Sequence, residues 1–189
     1  MASQILDGGF SDVPVQSARA FRAALSAMAR PGRVYDISGA MPPAPLSPAA
    51  GSLLLTLADP GTPVFLAGAH DTPELRAWLI FHTGVPIAPR EEAAFAVGTW
   101  TELLPLEPYR KGTPEYPDRS ATLIVEVATL AASGARLTGP GIETARMLSL
   151  PELEPFRRNA ALFPRGLDFY FTAGARLAAL PRTTKVEAA

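Results

Sequence analysis

The chain has 189 residues, 17 basic and 18 acidic side chains and a formal net charge of −1. It therefore has no basic excess to neutralise a nucleic-acid backbone, and its length suits a single domain over residues 1–189 with a buried core. It has no cysteine, which excludes disulfides, thiolate-held iron–sulfur clusters and cysteine nucleophiles.

Residues 1–12 are small, polar and glycine-rich and are expected to be extended. From Pro14 to Ala29, Ala18, Phe21, Leu25 and Met28 recur at helical spacing, with Arg19, Arg22 and Ser26 on another face. Pro31-Gly32 stops that helix, and residues 33–37 read as a short strand. Four prolines make 38–50 a loop. Residues 49–58 form an apolar helix ended by Asp59-Pro60-Gly61, and 63–67 a buried strand. Asp71 or Thr72 caps a helix from Pro73 to about His82, closed by Gly84. A strand follows at 94–97. Residues 104–119 alternate proline with charge and tyrosine and read as a long surface loop. Strands are expected at 121–128, 135–138, 167–172 and 176–180, a helix at 151–162, and a tight turn at Ala173-Gly174. Residues 181–189 read as a polar knot followed by an amphipathic tail. No apolar run is long enough to span a bilayer, and the N-terminus lacks the pattern of a signal peptide, so a cytoplasmic location is expected. The alternation of elements argues for an α/β protein, its mixed sheet covered by helices on both faces.

The chemistry-bearing candidates are few, and each has a plain structural alternative. Thr138-Gly139-Pro140-Gly141 follows a strand and can bring backbone N–H groups to a phosphate, or simply make a turn needing positive φ. It is neither a P-loop nor a dinucleotide fingerprint. His82, at a helix C-terminus, reads as a general acid, a phosphate ligand or a cap. Arg22 suits an anion or a salt bridge. Asp59 and Asp168 serve acid–base work only if brought close together, and Asp59 before Pro60 also reads as a turn residue. Arg182, Thr183 and Thr184 close an apolar strand, a placement suited to an anion, a neighbouring chain or a strand cap. The two histidines, 70 and 82, sit in no metal-binding pattern, so no metal is expected. No Gly-x-Ser-x-Gly elbow occurs.

Several segments, in order, resemble the PhnH family of bacterial phosphonate metabolism. They are Phe21–Gly32, Leu53–Asp59 with Thr62-Pro63-Val64, Phe81-His82-Thr83-Gly84, Leu137–Ile142, Phe163-Pro164 with Gly166-Leu167-Asp168, and Leu180-Pro-Arg-Thr-Thr-Lys-Val-Glu187. The resemblance implies a three-layer α/β/α sandwich similar to the large domain of pyridoxal-phosphate-dependent transferases. It also implies a subunit of the carbon–phosphorus lyase core complex, with subunits G, I and J as partners and a homodimer when isolated. With G and I it would be required to join a phosphonate to the ribose of ATP with release of adenine, giving ribose 1-phosphonate 5-triphosphate. The alternatives are a scaffold that binds no ligand and a stand-alone pyridoxal-phosphate enzyme. The latter needs a placed lysine, and only Lys111 and Lys185 exist, so no cofactor is expected. The slightly positive mean hydropathy and the apolar segments around Leu53 and Leu123 suggest surface for a dimer.

Overall fold

The computed structural model describes residues 7–189; the extended segment expected over residues 1–6 lies outside them. Three helices start on the same local chemistry. In α1 (Val13–Ala29), Asp12 accepts the Val15 N–H at 3.3 Å; in α2 (Pro48–Leu57), Ser47 accepts from Ala50 at 3.1 Å; in α3 (Pro73–Thr83), Thr72 accepts from Leu75 at 3.1 Å. Each has a proline in its first turn, where the missing N–H costs nothing. Gly84, at φ +71°, closes α3 in the left-handed conformation.

The strands are β1 (Tyr35–Asp36), β2 (Val64–Leu66), β3 (Phe95–Thr99), β4 (Thr122–Glu126), β5 (Ala135–Thr138), β6 (Arg146–Leu148), β7 (Asp168–Ala173), β8 (Arg176–Leu180) and β9 (Lys185–Glu187). Six form a mixed sheet in the order β1-β8-β7-β4-β3-β2, parallel from β7 to β2 and antiparallel at β8 and β1. The other three form a small antiparallel sheet, β6-β5-β9. Strand alternation divides the large sheet's side chains. Val97, Ile124, Tyr170 and Leu177 face the helices. Ala96, Leu123, Phe169 and Phe171 face the small sheet and the two short helices α4 (Trp100–Leu103) and α5 (Glu154–Ala160). There, Trp100 stacks on Phe156 at 4.8 Å and donates to Glu152 at 2.8 Å.

The architecture is thus α/β, with a six-stranded mixed sheet and helices, as expected. The second covering layer differs: it is largely the small sheet, because β6 and the C-terminal residues pair with β5 rather than running on as loop and tail. The helix expected over 151–162 is only Glu154–Ala160.

Two expectations about apolar surface are corrected. The buried stripe of α1 is Ala20, Ala24 and Ala27, while Phe21 and Leu25 are 51% and 58% exposed. Small side chains let α1 lie close on β8 and α2, and the bulky ones are left on the outer face. Conversely, Leu53 and Leu123 are fully buried, each between the sheet and one covering layer, and offer no surface to a second chain.

Candidate functional site

The pairing of β5 with β9 sets Thr138 opposite Lys185, which carries the Thr138–Gly141 turn to the Thr183-Thr184 turn at the end of the chain. A Cβ on Gly139, whose φ is +131°, would stand 3.1 Å from the Thr183 carbonyl oxygen. The same turn reaches the end of α1. A Cβ on Gly141, at φ +82°, would stand 2.1 Å from the Ala29 carbonyl oxygen and 3.1 Å from the Pro31 ring. Glycine is required at both positions for φ and for space. Three segments distant in sequence thus meet here: Ala29–Gly32, Thr138–Gly141 and Thr183-Thr184. The Thr184 side chain is buried and its hydroxyl has no hydrogen-bond partner.

Arg182 turns away from this meeting point. Its backbone N–H donates to Asp168 Oδ1 at 2.8 Å and its Nε to the same oxygen at 3.1 Å, while its terminal nitrogens donate to Asp168 Oδ2, the Ser120 hydroxyl and the Pro117 carbonyl. The guanidinium therefore ties the end of β8 to the start of β7 and to the loop before β4. That is the geometry of a strand-end clamp.

The remaining candidates are not brought together. Arg22 is exposed on α1 and makes no ion pair with the described residues. Asp59 accepts the Gly61 N–H at 2.8 Å as a turn residue. Asp168 lies in register with Val64 three strands away, about 14 Å at ordinary strand spacing, and is engaged by Arg182; it forms no pair with Asp59. His82 sits in the last turn of α3, on the helical face of the large sheet, packed by Trp78 at 5.0 Å and Phe81 at 4.9 Å. A Cβ on Gly9 would stand 2.5 Å from its ring. Among the described residues, no three of His, Asp and Glu are grouped to hold a metal ion.

A second polar cluster, not anticipated, occupies the C-terminal ends of β2 and β3. His70 is buried, with no hydrogen-bond partner for either ring nitrogen, and its Nδ1 lies 3.6 Å from Glu102 Oε2. Glu102 accepts from the Ala69 N–H at 2.8 Å, the Thr99 N–H at 3.0 Å and the Thr99 hydroxyl at 2.7 Å. Thr99-x-x-Glu102 is a capping box, the local signal from which this cluster was readable. The Ala69 hydrogen bond, with help from Thr99 and the nearby His70, holds the Glu102 carboxyl below its ordinary value against the opposing effect of burial. The stability it contributes is therefore present above the unfolded value near 4.5 and lost as pH falls through the lower folded value. Glu102→Gln is expected to lose about 1–2 kcal/mol at neutral pH and to flatten the acid limb of the stability curve, read by urea titration between pH 3 and 7. An unchanged acid limb refutes this role.

The 104–119 loop is ordered by cations. Arg90 donates to the Leu104, Pro105 and Glu102 carbonyls, and Lys111 to those of Leu106 and Glu107 at 3.2 and 2.6 Å. With α5 the loop walls an apolar cavity of about 370 Å³, with Lys111 and Arg158 in its lining. Of the two lysines, Lys111 is held by loop carbonyls and Lys185 is exposed on strand β9.

These features define a mixed α/β protein whose glycine turns and C-terminal residues meet at one end of a small second sheet. The chain belongs to the PhnH family of bacterial phosphonate metabolism proteins, whose model matches residues 8–187. It is 39% identical to the alpha-D-ribose 1-methylphosphonate 5-triphosphate synthase subunit PhnH of Rhizobium meliloti, over 98% of this chain and 97% of that protein. It is 31% identical to the protein HtxG of Stutzerimonas stutzeri, over 88% of this chain and 84% of that protein.

Proposed function

We propose that this chain is the H subunit of a carbon–phosphorus lyase core complex. It is needed, with subunits G and I, for joining a phosphonate to the ribose of ATP with release of adenine. The observation that carries this reading is the near full-length similarity to the Rhizobium subunit. The dispersal of Asp59, His82 and Asp168 fits a chain that works within a larger assembly rather than alone. We further propose a single cytoplasmic domain related to the large domain of pyridoxal-phosphate-dependent transferases but lacking their lysine. Its partners would be subunits G, I and J, with a homodimer as the isolated state. Restoration of growth on methylphosphonate as sole phosphorus source, in a host deleted for its own H subunit, tests the reading; failure with a folded, expressed protein counts against it.

The exposed Phe21 and Leu25, one turn apart on α1, supply apolar surface of the kind that subunit contacts cover. The double variant Phe21→Ser, Leu25→Ser is expected to stay folded, since both side chains are more than half exposed. With about half of each side chain covered, the loss of stability is expected to stay within about 1 kcal/mol, while co-elution with subunits G, I and J is expected to fall at least tenfold. Unchanged co-elution places the contact elsewhere.

A further inference from the structure

A cleft of about 740 Å³ opens between two strand edges. One wall is residues 32–35, leading into edge strand β1 of the large sheet; the other is residues 145–147, at edge strand β6 of the small one. Arg33, Arg146 and Arg176 line it, and no carboxylate does. Asp36 faces Arg176 across the β1–β8 pair but makes no ion pair with it. Six arginines elsewhere are engaged, Arg76, Arg136, Arg157 and Arg182 in ion pairs and Arg90 and Arg110 on carbonyls, while Arg19, Arg22, Arg30, Arg158 and Arg165 make neither an ion pair nor a side-chain hydrogen bond with a described residue. The three cleft arginines make no ion pair or side-chain hydrogen bond with any described residue.

Three arginines around one concavity, in a chain of net charge −1, concentrate positive potential with no carboxylate in the lining to offset it. Guanidinium is the side chain best matched to phosphate oxygens, through paired N–H donors. Gly32, at φ +79°, lets the Arg146 stem lie against the backbone; a Cβ there would stand 2.9 Å from Arg146 Cβ. The volume exceeds what a lone phosphate fills and falls in the range of sites for larger ligands. Val34 and Met147 supply apolar wall beside the charge.

We propose that this cleft binds a small molecule bearing several phosphate groups, of the nucleoside or ribose triphosphate class. The anion site stands on the cleft itself; the triphosphate as its ligand rests on the phosphonate-ribosylation reading above. The test is calorimetric titration of the full chain at low salt with tripolyphosphate, ATP and inorganic phosphate. Tripolyphosphate and ATP are expected to bind saturably, one per chain, and inorganic phosphate far more weakly. Arg33→Ala, Arg146→Ala and Arg176→Ala are each expected to weaken tripolyphosphate binding about tenfold or more. Arg165→Ala, an exposed arginine outside the cleft, is expected to change nothing. Absence of saturable heat at millimolar tripolyphosphate, or binding indifferent to the three substitutions, overturns the site. If tripolyphosphate gives no heat while the same substitutions release subunits G, I and J, the cleft is a protein contact and the proposal fails. Tripolyphosphate binding lost in the variants, with normal growth on methylphosphonate, keeps the anion site and overturns its tie to phosphonate chemistry.

Discussion

Arg182→Ala is expected to lose about 3 kcal/mol of folding stability, roughly 6–12 °C in melting temperature for a chain of this size. The side chain is 12% exposed and its partner Asp168 21% exposed. Truncation leaves that carboxylate partly buried without its counter-charge. It also strips the Ser120 hydroxyl and the Pro117 carbonyl of their donor. The contacts join residues 14, 62 and 65 positions apart, so their loss loosens the hold of the β4 and β7 starts on the end of β8. Arg182→Lys keeps the charge but not the forked donors and is expected to recover less than half of the loss. Growth on phosphonate would then fall because less protein is folded. If Arg182→Ala melts within about 1 kcal/mol of the parent, the clamp is refuted. If such a variant also fails to support growth, Arg182 returns to the ligand or partner role that its place in the sequence suggests.

The legible parts of this fold are those with local causes. Thr72-Pro73 starts a helix, Gly84 ends it, and apolar runs around Phe65, Ile124 and Phe171 make strands buried on both faces, whereas the Asp12 and Ser47 caps fall in segments that read as extended chain and loop. Periodicity marks α1 as a helix but is silent about which face is buried. Two apolar stripes compete there, and close approach to β8 and α2 selects the alanines. Strands β6 and β9 have three residues each with mixed polarity, and only their partner β5 makes them strands. The same reason hides the cleft: Arg33, Arg146 and Arg176 share no motif, and the meeting of two sheet edges brings them together. The Gly139–Gly141 turn and Thr183-Thr184 were each visible as local features, but their contact depends on the β5–β9 register.

Gly141→Ala and Gly174→Ala should separate backbone strain from close approach, and the first is expected to be among the most damaging single changes in this chain. Both glycines have positive φ, +82° and +59°, so each alanine meets the same class of conformational penalty, about 1 kcal/mol. For Gly174, in the β7–β8 turn, that is the whole effect, because a Cβ there meets nothing within 4 Å. At Gly141 the Cβ would stand 2.1 Å from the Ala29 carbonyl oxygen and 3.1 Å from the Pro31 ring. Neither neighbour is a flexible side-chain tip: one is backbone at the end of α1, the other a proline ring. The turn itself must move, and a loss of at least about 3 kcal/mol is expected. Displacement of the turn also shifts the start of β6, which carries Arg146. Gly141→Ala should therefore weaken tripolyphosphate binding even where the protein remains folded, at low temperature or in stabilising osmolyte, while Gly174→Ala binds as the parent does. Equal losses of stability in the two variants would show that the turn yields freely against α1. The Gly139–Gly141 segment would then be an adjustable loop rather than the fixed floor between the helix end and the arginine cleft.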